Sequence, residues 1–168
     1  MTMTPPAAPG RAPLHLEPGF EFAFAIHLGF TPPHILKTAQ LGRERAGVFV
    51  TQGHFEGPRV RGDVVGASGG DYAEMRPDGV LDFDARYMLR THDGVLIYLQ
   101  SRGYRWSSPE VGQRMMKGEA VDPSEYYMRV STRFEVEAGP YEWLARNVFV
   151  GLGARTREGN VIRYFQLL

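Results

Sequence analysis

The chain has 168 residues, no cysteine, and 19 basic side chains that cancel 19 acidic ones. A single domain of this length buries ~70% of the surface that its unfolded chain exposes. Balanced charge leaves no basic field to draw in nucleic acid or anionic lipid, and the lack of thiols excludes disulfides and thiolate chemistry.

A cytoplasmic location fits this cysteine-free composition. No apolar run approaches the ~20 residues that a helical membrane span requires, so no membrane partner is expected. Residues 1–13 are rich in Pro, Ala and Thr and lack a signal peptide's apolar core. They read as a disordered tail, with one domain at 14–168. The 20 glycines and 12 prolines suit many strands separated by turns.

Residues 20–28 alternate cleanly, with Phe20, Phe22, Phe24, Ile26 and Leu28 on one face, which predicts a strand. Thr31-Pro32-Pro33 ends it, and 35–45 reads as loop or irregular strand. A strand at 46–54 follows, interrupted at Phe55-Glu56-Gly57-Pro58 by a bulge or bend before 60–65. Gly66–Gly70 is a turn into a strand at 71–75. Arg76-Pro77-Asp78-Gly79 has the chemistry of a second turn.

The organising stretch is a long hairpin, 80–91 and 95–104, joined at His92-Asp93-Gly94. Asp-Gly between alternating segments favours a two-residue turn. With Asp93-Gly94 as that turn, Arg86 lies opposite Ser101 and Asp84 opposite Gly103. The other face then carries Tyr87, Tyr98 and Gln100. Both faces are mixed, as suits a barrel whose strands line a cavity on one side.

The single predicted helix covers 109–117, with Ser107 as cap, Pro109 in the first turn and Gly118 as stop. Strands at 125–137, 143–153 and 160–168 complete the chain. The sum is an all-β fold, a single closed or nearly closed antiparallel β-barrel of eight or nine strands with one short helix.

Among motifs, His54 and Glu56 faintly resemble a cupin ligand pair, but the second histidine that a cupin strand needs is missing, so no metal is expected. Gly66–Gly70 and Gly151-Leu152-Gly153 lack a following helix N-terminus. Both read as turns rather than phosphate loops. No GxSxG elbow is present, and no cofactor is expected.

The sequence does resemble a known family. The motifs run from Phe55-Glu56-Gly57-Pro58, through Arg76-Pro77-Asp78-Gly79 and Ala85-Arg86-Tyr87-Met88-Leu89-Arg90-Thr91, to Asp122-Pro123-Ser124-Glu125-Tyr126-Tyr127, Arg133-Phe134-Glu135 and Trp143-Leu144. Together they resemble a bacterial and fungal domain-of-unknown-function family of small antiparallel β-barrels. The resemblance implies a calycin-like barrel and leaves room for a homo-oligomer; it brings no reaction. Two positions depart from the family pattern. Ala145 stands where an asparagine is common, and His54 where a threonine or similar small residue is usual.

Charged and phenolic residues within strands outline a candidate site, because an inward charge must be paired or must line a wet cavity. Arg86 is expected to point inward and stabilise an anion, with Asp71 or Glu56 as general base and Tyr127 as proton donor. Asp84, Tyr87, Tyr98, Ser101, Arg129 and His54 are the expected ligand-binding residues. The opposing reading makes Arg86 and Asp84 a structural ion pair. If Arg86 faces solvent, Tyr87, Tyr98 and Gln100 become the lining.

A carboxylate, an arginine and a tyrosine in one pocket can move a proton without a cofactor. The leading expectation is therefore an isomerase, cyclase or lyase acting on a small hydrophobic or aromatic carbonyl or phenolic metabolite. The alternatives are a lipocalin-like binding barrel and, more weakly, a structural module.

Overall fold

A computed structural model describes residues 17–40 and 42–168. The tail expected at 1–13 lies outside the described residues. Ten strands follow one another: β1 (Phe20–Phe30), β2 (His34–Thr38), β3 (Arg43–Glu56), β4 (Arg61–Val64), β5 (Gly70–Met75), β6 (Leu81–Thr91), β7 (Leu96–Ser107), β8 (Tyr126–Val136), β9 (Phe149–Arg155) and β10 (Gly159–Leu167). All pairings are antiparallel, in the order β1-β10-β9-β8-β7-β6-β4-β3. Pairing of β1 with β3 closes the ring.

Two positions in the wall are each shared by two short pieces. β1 and β2 both lie against β3, on its 50–56 and 43–47 stretches. β4 and β5 share the place between β3 and β6. Ten strands thus fill eight positions, and the barrel is closed, as the alternation and turn chemistry imply.

Between β7 and β8 lies α1 (Pro109–Met116), close to the predicted helix. Its cap is Ser108 rather than Ser107: the Ser108 hydroxyl accepts a hydrogen bond from Val111 N–H, one of the N–H groups that a helix start leaves unpaired. Residues 143–146, expected as the start of a strand, instead form a single helical turn, α2 (Trp143–Arg146). The turn drives Leu144 into one end of the barrel, where it is fully buried. Gly151 and Gly153, read as turn residues, stand inside β9. A Cβ on Gly151 would lie 2.6 Å from Val130 Cγ2 and one on Gly153 2.7 Å from Met128 Cγ, so glycine here makes room for inward neighbours.

The core is packed unevenly along the barrel axis. At the α2 end, Phe24, Phe55, Phe134, Phe149 and Tyr164 form a cluster of edge-on and tilted rings with centroids 5.0–5.8 Å apart. A bulge in β1 between Phe22 and Phe24 turns Phe24 inward and leaves Phe22 outside against Phe165, so the five-residue apolar face read from the sequence is split. Toward the other end the side chains become smaller, and a cavity opens.

Candidate functional site

The face of the central hairpin that looks inward is set by its turn. Thr91 N–H donates to Val95 O at 2.9 Å and Gly94 N–H to Thr91 O at 2.9 Å, so the loop is three residues, His92-Asp93-Gly94. Gly94 takes the positive φ (+94°) that closes such a loop. The register therefore differs by one residue from that of a two-residue turn. Arg86 lies across from Gln100, Ala85 across from Ser101, and Tyr87 across from Leu99. A slip of one residue exchanges the faces of a strand.

Several expected positions are corrected as a result. Arg86 is exposed on the outer wall and forms an ion pair with Asp84 (Nε–Oδ1, 3.4 Å), which also meets Arg102 at 3.3 Å. Burial opposes ionisation of Asp84, but Arg102 and Arg86 together hold its carboxyl below the usual value. Tyr98 and Gln100 also lie outside; with Ala145 and Asn147 they line a separate surface groove. The departure at Ala145 thus falls away from the barrel interior.

Tyr127 and Arg129 are outside as well, on the face of β8 opposite its buried Tyr126, Met128 and Val130. Tyr127 stacks on Trp106 at 5.5 Å, with the Arg129 guanidinium 5.2 Å from its ring. Glu56 and His54 are exposed on β3, where the ladders to β1 and β4 run unbroken over 54–56 and end just before Gly57, so no bend re-aims them. His54 stacks instead on His27, with ring centroids 4.5 Å apart. Among the described residues no group of three or more His, Cys, Asp or Glu could hold a metal.

Three of the expected residues do come together inside. Asp71, Tyr87 and Ser101 line one cavity with Leu28, Ala85, Val130, Asn160 and Ile162. Its enclosed volume is about 30 Å³, room for one or two waters, so a larger ligand must sit mainly at its mouth. A wider groove of about 480 Å³ runs along the outer wall past Tyr72, Asp82 and Tyr104. Four of its charges are already matched, Arg45 with Glu74 and Arg102 with Asp84, which leaves Asp82, and it is open to solvent. The interior cavity is the better chemical site.

Asp71 owes its position to a local opening of the sheet. β5 pairs with β6 at Gly70–Arg86 and Asp71–Ala85, and pairing resumes only at Glu74–Asp82. In the gap, Asp84 N–H donates to the Asp71 carboxylate at 2.9 Å. Burial pushes the Asp71 carboxyl up to about 6, against the pull of that hydrogen bond, with the Asp84 and Asp82 charges adding to the rise.

Below Asp71 lies a layer of hydroxyls. Ser101 and Thr132, both buried, share a hydrogen bond of 2.7 Å. Tyr87 and Tyr164 sit close enough to each other and to this pair to interact electrostatically, yet neither phenol makes a well-formed hydrogen bond among the described residues. Burial raises both phenols above their usual range, so they remain protonated donors. An unpaired donor buried beside a cavity is costly and is relieved by a ligand acceptor.

The sequence reading missed Arg105, Tyr126, Thr132, Asn160 and Tyr164. Arg105 escaped because the β7 strand was expected to end at Tyr104, whereas it runs to Ser107. The signal was present: Ser101, Gly103 and Arg105 continue one face.

Residues 18–167 match the model of a family described as protein of unknown function DUF3237. The chain belongs to this family. A relative from Bradyrhizobium diazoefficiens, described as a UPF0311 protein, is 34% identical over 118 residues, covering 66% of this chain and 78% of its own. A solved structure of a conserved protein of unknown function from Rhodopseudomonas palustris superposes with a TM-score of 0.84 at 27% identity, over 92% of this chain and 100% of that one. A structure described as an enzyme from Penicillium herquei has a TM-score of 0.69 at 24% identity, over 95% and 99% of the two chains, and shows the same fold.

Proposed function

We propose that this DUF3237 barrel is a cofactor-free acid–base enzyme for a small hydrophobic or aromatic metabolite that carries a carbonyl or phenol. The observation that carries the reading is Asp71: one carboxyl in a largely apolar cavity, raised to about 6, beside a buried Tyr87 hydroxyl that lacks a partner among the described residues. A base with a pKa near the working pH exists in both protonation states and can take and return a proton.

In this scheme ionised Asp71 removes a proton from the carbon next to the substrate carbonyl. The electron pair moves onto the carbonyl oxygen, where the Tyr87 hydroxyl donates a hydrogen bond to the developing charge. Protonated Asp71 then returns the proton, to the same carbon in simple exchange or, where a further double bond is conjugated with the enolate, to the far end of that double bond, which completes an isomerisation. Isomerases, cyclases and lyases of this kind share that first step. The description of a barrel of the same fold as an enzyme agrees with the reading.

The test is a screen of enolisable ketones and phenols for deuterium incorporation or product formation, with wild type beside Asp71→Asn. Turnover that rises through an apparent pKa near 6 and falls at least ~100-fold in Asp71→Asn supports the proposal. Turnover unchanged in Asp71→Asn overturns it. The competing reading, a non-catalytic binding barrel, draws on the mostly apolar lining of the cavity; saturable binding with no proton exchange for any ligand that binds would favour it.

A further inference from the structure

Beyond Ser101 and Gly103, the inner face of β7 continues to Arg105, which lies across from Leu81 on β6 and Met128 on β8. Met128 lines the cavity, so Arg105 stands at its mouth. On β9 the same face continues from Gly151 and Gly153 to Arg155, whose backbone N–H donates to the Tyr126 hydroxyl at 2.7 Å. Arg105 is near enough to Arg155, to Tyr126 and to Asp71 to feel each of them electrostatically, which places these groups together beyond the Met128 end of the cavity.

Arg105 is half-buried, and no ion pair holds it among the described residues. Residues 1–16 contain no Asp or Glu, and position 41 is Leu, so the remaining chain offers no carboxylate side chain either. Asp71 feels the Arg105 charge but forms no salt bridge with it. Seven surface arginines, Arg43, Arg45, Arg76, Arg86, Arg102, Arg114 and Arg146, have acidic partners, and others such as Arg61, Arg90 and Arg133 stand unpaired but exposed to water; Arg105 combines the lack of an ion pair with partial burial. A shielded cation without a partner costs free energy that an arriving anion recovers, and guanidinium favours planar oxyanions.

We propose that Arg105, with Arg155 beside it, recognises an anionic oxygen of the ligand, so that the natural ligand is an aromatic or apolar acid bearing a carboxylate or an acidic phenol. The carboxylate end sits between the guanidinium groups, and the apolar body lies across the cavity mouth against Asp71. Burial and the charge of Arg155 pull the Arg105 guanidinium down to about 10, still fully protonated at neutral pH, which is the form that an anion requires. The inference rests on the reading of this cavity as the ligand site.

Benzoate and its neutral isostere benzamide provide the probe, titrated by NMR chemical shift or calorimetry at pH 7.5 against wild type, Arg105→Met, Arg155→Met and Asp71→Asn. Wild type is expected to prefer benzoate to benzamide by about tenfold, the worth of one charge-assisted hydrogen bond. Arg105→Met should abolish that preference, and Arg155→Met, at an exposed position that cannot endanger folding, should reduce it. Benzoate binding should persist or tighten in Asp71→Asn, because a negative charge is removed. Equal affinity for benzoate and benzamide in wild type overturns the proposal, as does a preference that survives in both arginine variants. These outcomes are independent of turnover: loss of the anion site leaves the acid–base reading of Asp71 standing, and an Asp71→Asn enzyme with full activity leaves the anion site standing.

Discussion

Ala85, and not Arg86, stands across from Ser101 in the central hairpin. This pairing puts a methyl group and a hydroxyl on the cavity wall and sends the neighbouring guanidinium into solvent. One residue in the His92-Asp93-Gly94 loop decides it, since a two-residue turn would have placed Arg86 inside.

From that pairing, Arg86→Met should change little. Its ion pair with Asp84 is exposed, and such pairs contribute under ~1 kcal/mol. The expected result is a melting temperature within a few degrees of wild type and unaltered ligand binding. A folded variant that loses all binding would show that the outer wall, not the interior, is the site.

Tyr87→Phe is expected to stabilise the apo protein. The hydroxyl is buried without a well-formed hydrogen bond among the described residues, so removing it should yield about 1 kcal/mol. Chemical denaturation measures this directly. The same variant should weaken binding of carbonyl ligands, giving opposite signs for stability and affinity.

Ser101 and Thr132 behave in the contrary way, because each satisfies the other at 2.7 Å. Ser101→Ala alone strands the Thr132 hydroxyl and should cost about 1–3 kcal/mol. The double variant Ser101→Ala with Thr132→Val should recover much of that loss, and a double-mutant cycle reads the coupling.

The pH dependence of stability follows from Asp71. Its folded pKa of about 6 lies above the ordinary 3.8, so the folded state binds the proton more tightly than the unfolded state. The contribution of Asp71 is therefore fully present below pH ~4 and is lost as pH rises toward and through about 6. A loss on the order of 2 kcal/mol is expected between pH 4 and pH 7, after allowing for the partial exposure of the carboxyl. In Asp71→Asn that component should disappear, so the difference between wild type and variant, measured by urea unfolding across this range, should show it.

Phe134→Ala should be the most damaging core substitution of this set. Phe134 touches Phe24, Phe149 and Tyr164 in the aromatic cluster at the packed end. Truncating such a ring costs about 3–5 kcal/mol, large against the stability of a domain this size. Thermal unfolding should shift down by 10 °C or more, by the usual relation between free energy and melting temperature.

From the sequence alone follows an all-β chain folded as a closed or nearly closed antiparallel barrel; the pairing of β1 with β3 closes it. Period-two alternation, the Pro-Asp-Gly and Asp-Gly turns and the family motifs are local signals, and local signals suffice to place strands and turns. They also pointed to Asp71, Tyr87 and Ser101, which do meet in one cavity. What they could not decide is which way each strand faces. That depends on single-residue events: the third residue of the hairpin loop, the bulge after Phe22, and the helical turn that carries Leu144 into the barrel. A strand has two faces of nearly equal local propensity, so the choice falls to ring closure and core packing, which compare residues far apart in the chain. The closed barrel turned Arg86, Tyr127 and Glu56 outward for that reason, and brought Arg105 of β7 and Arg155 of β9 together beyond the Met128 end of the cavity.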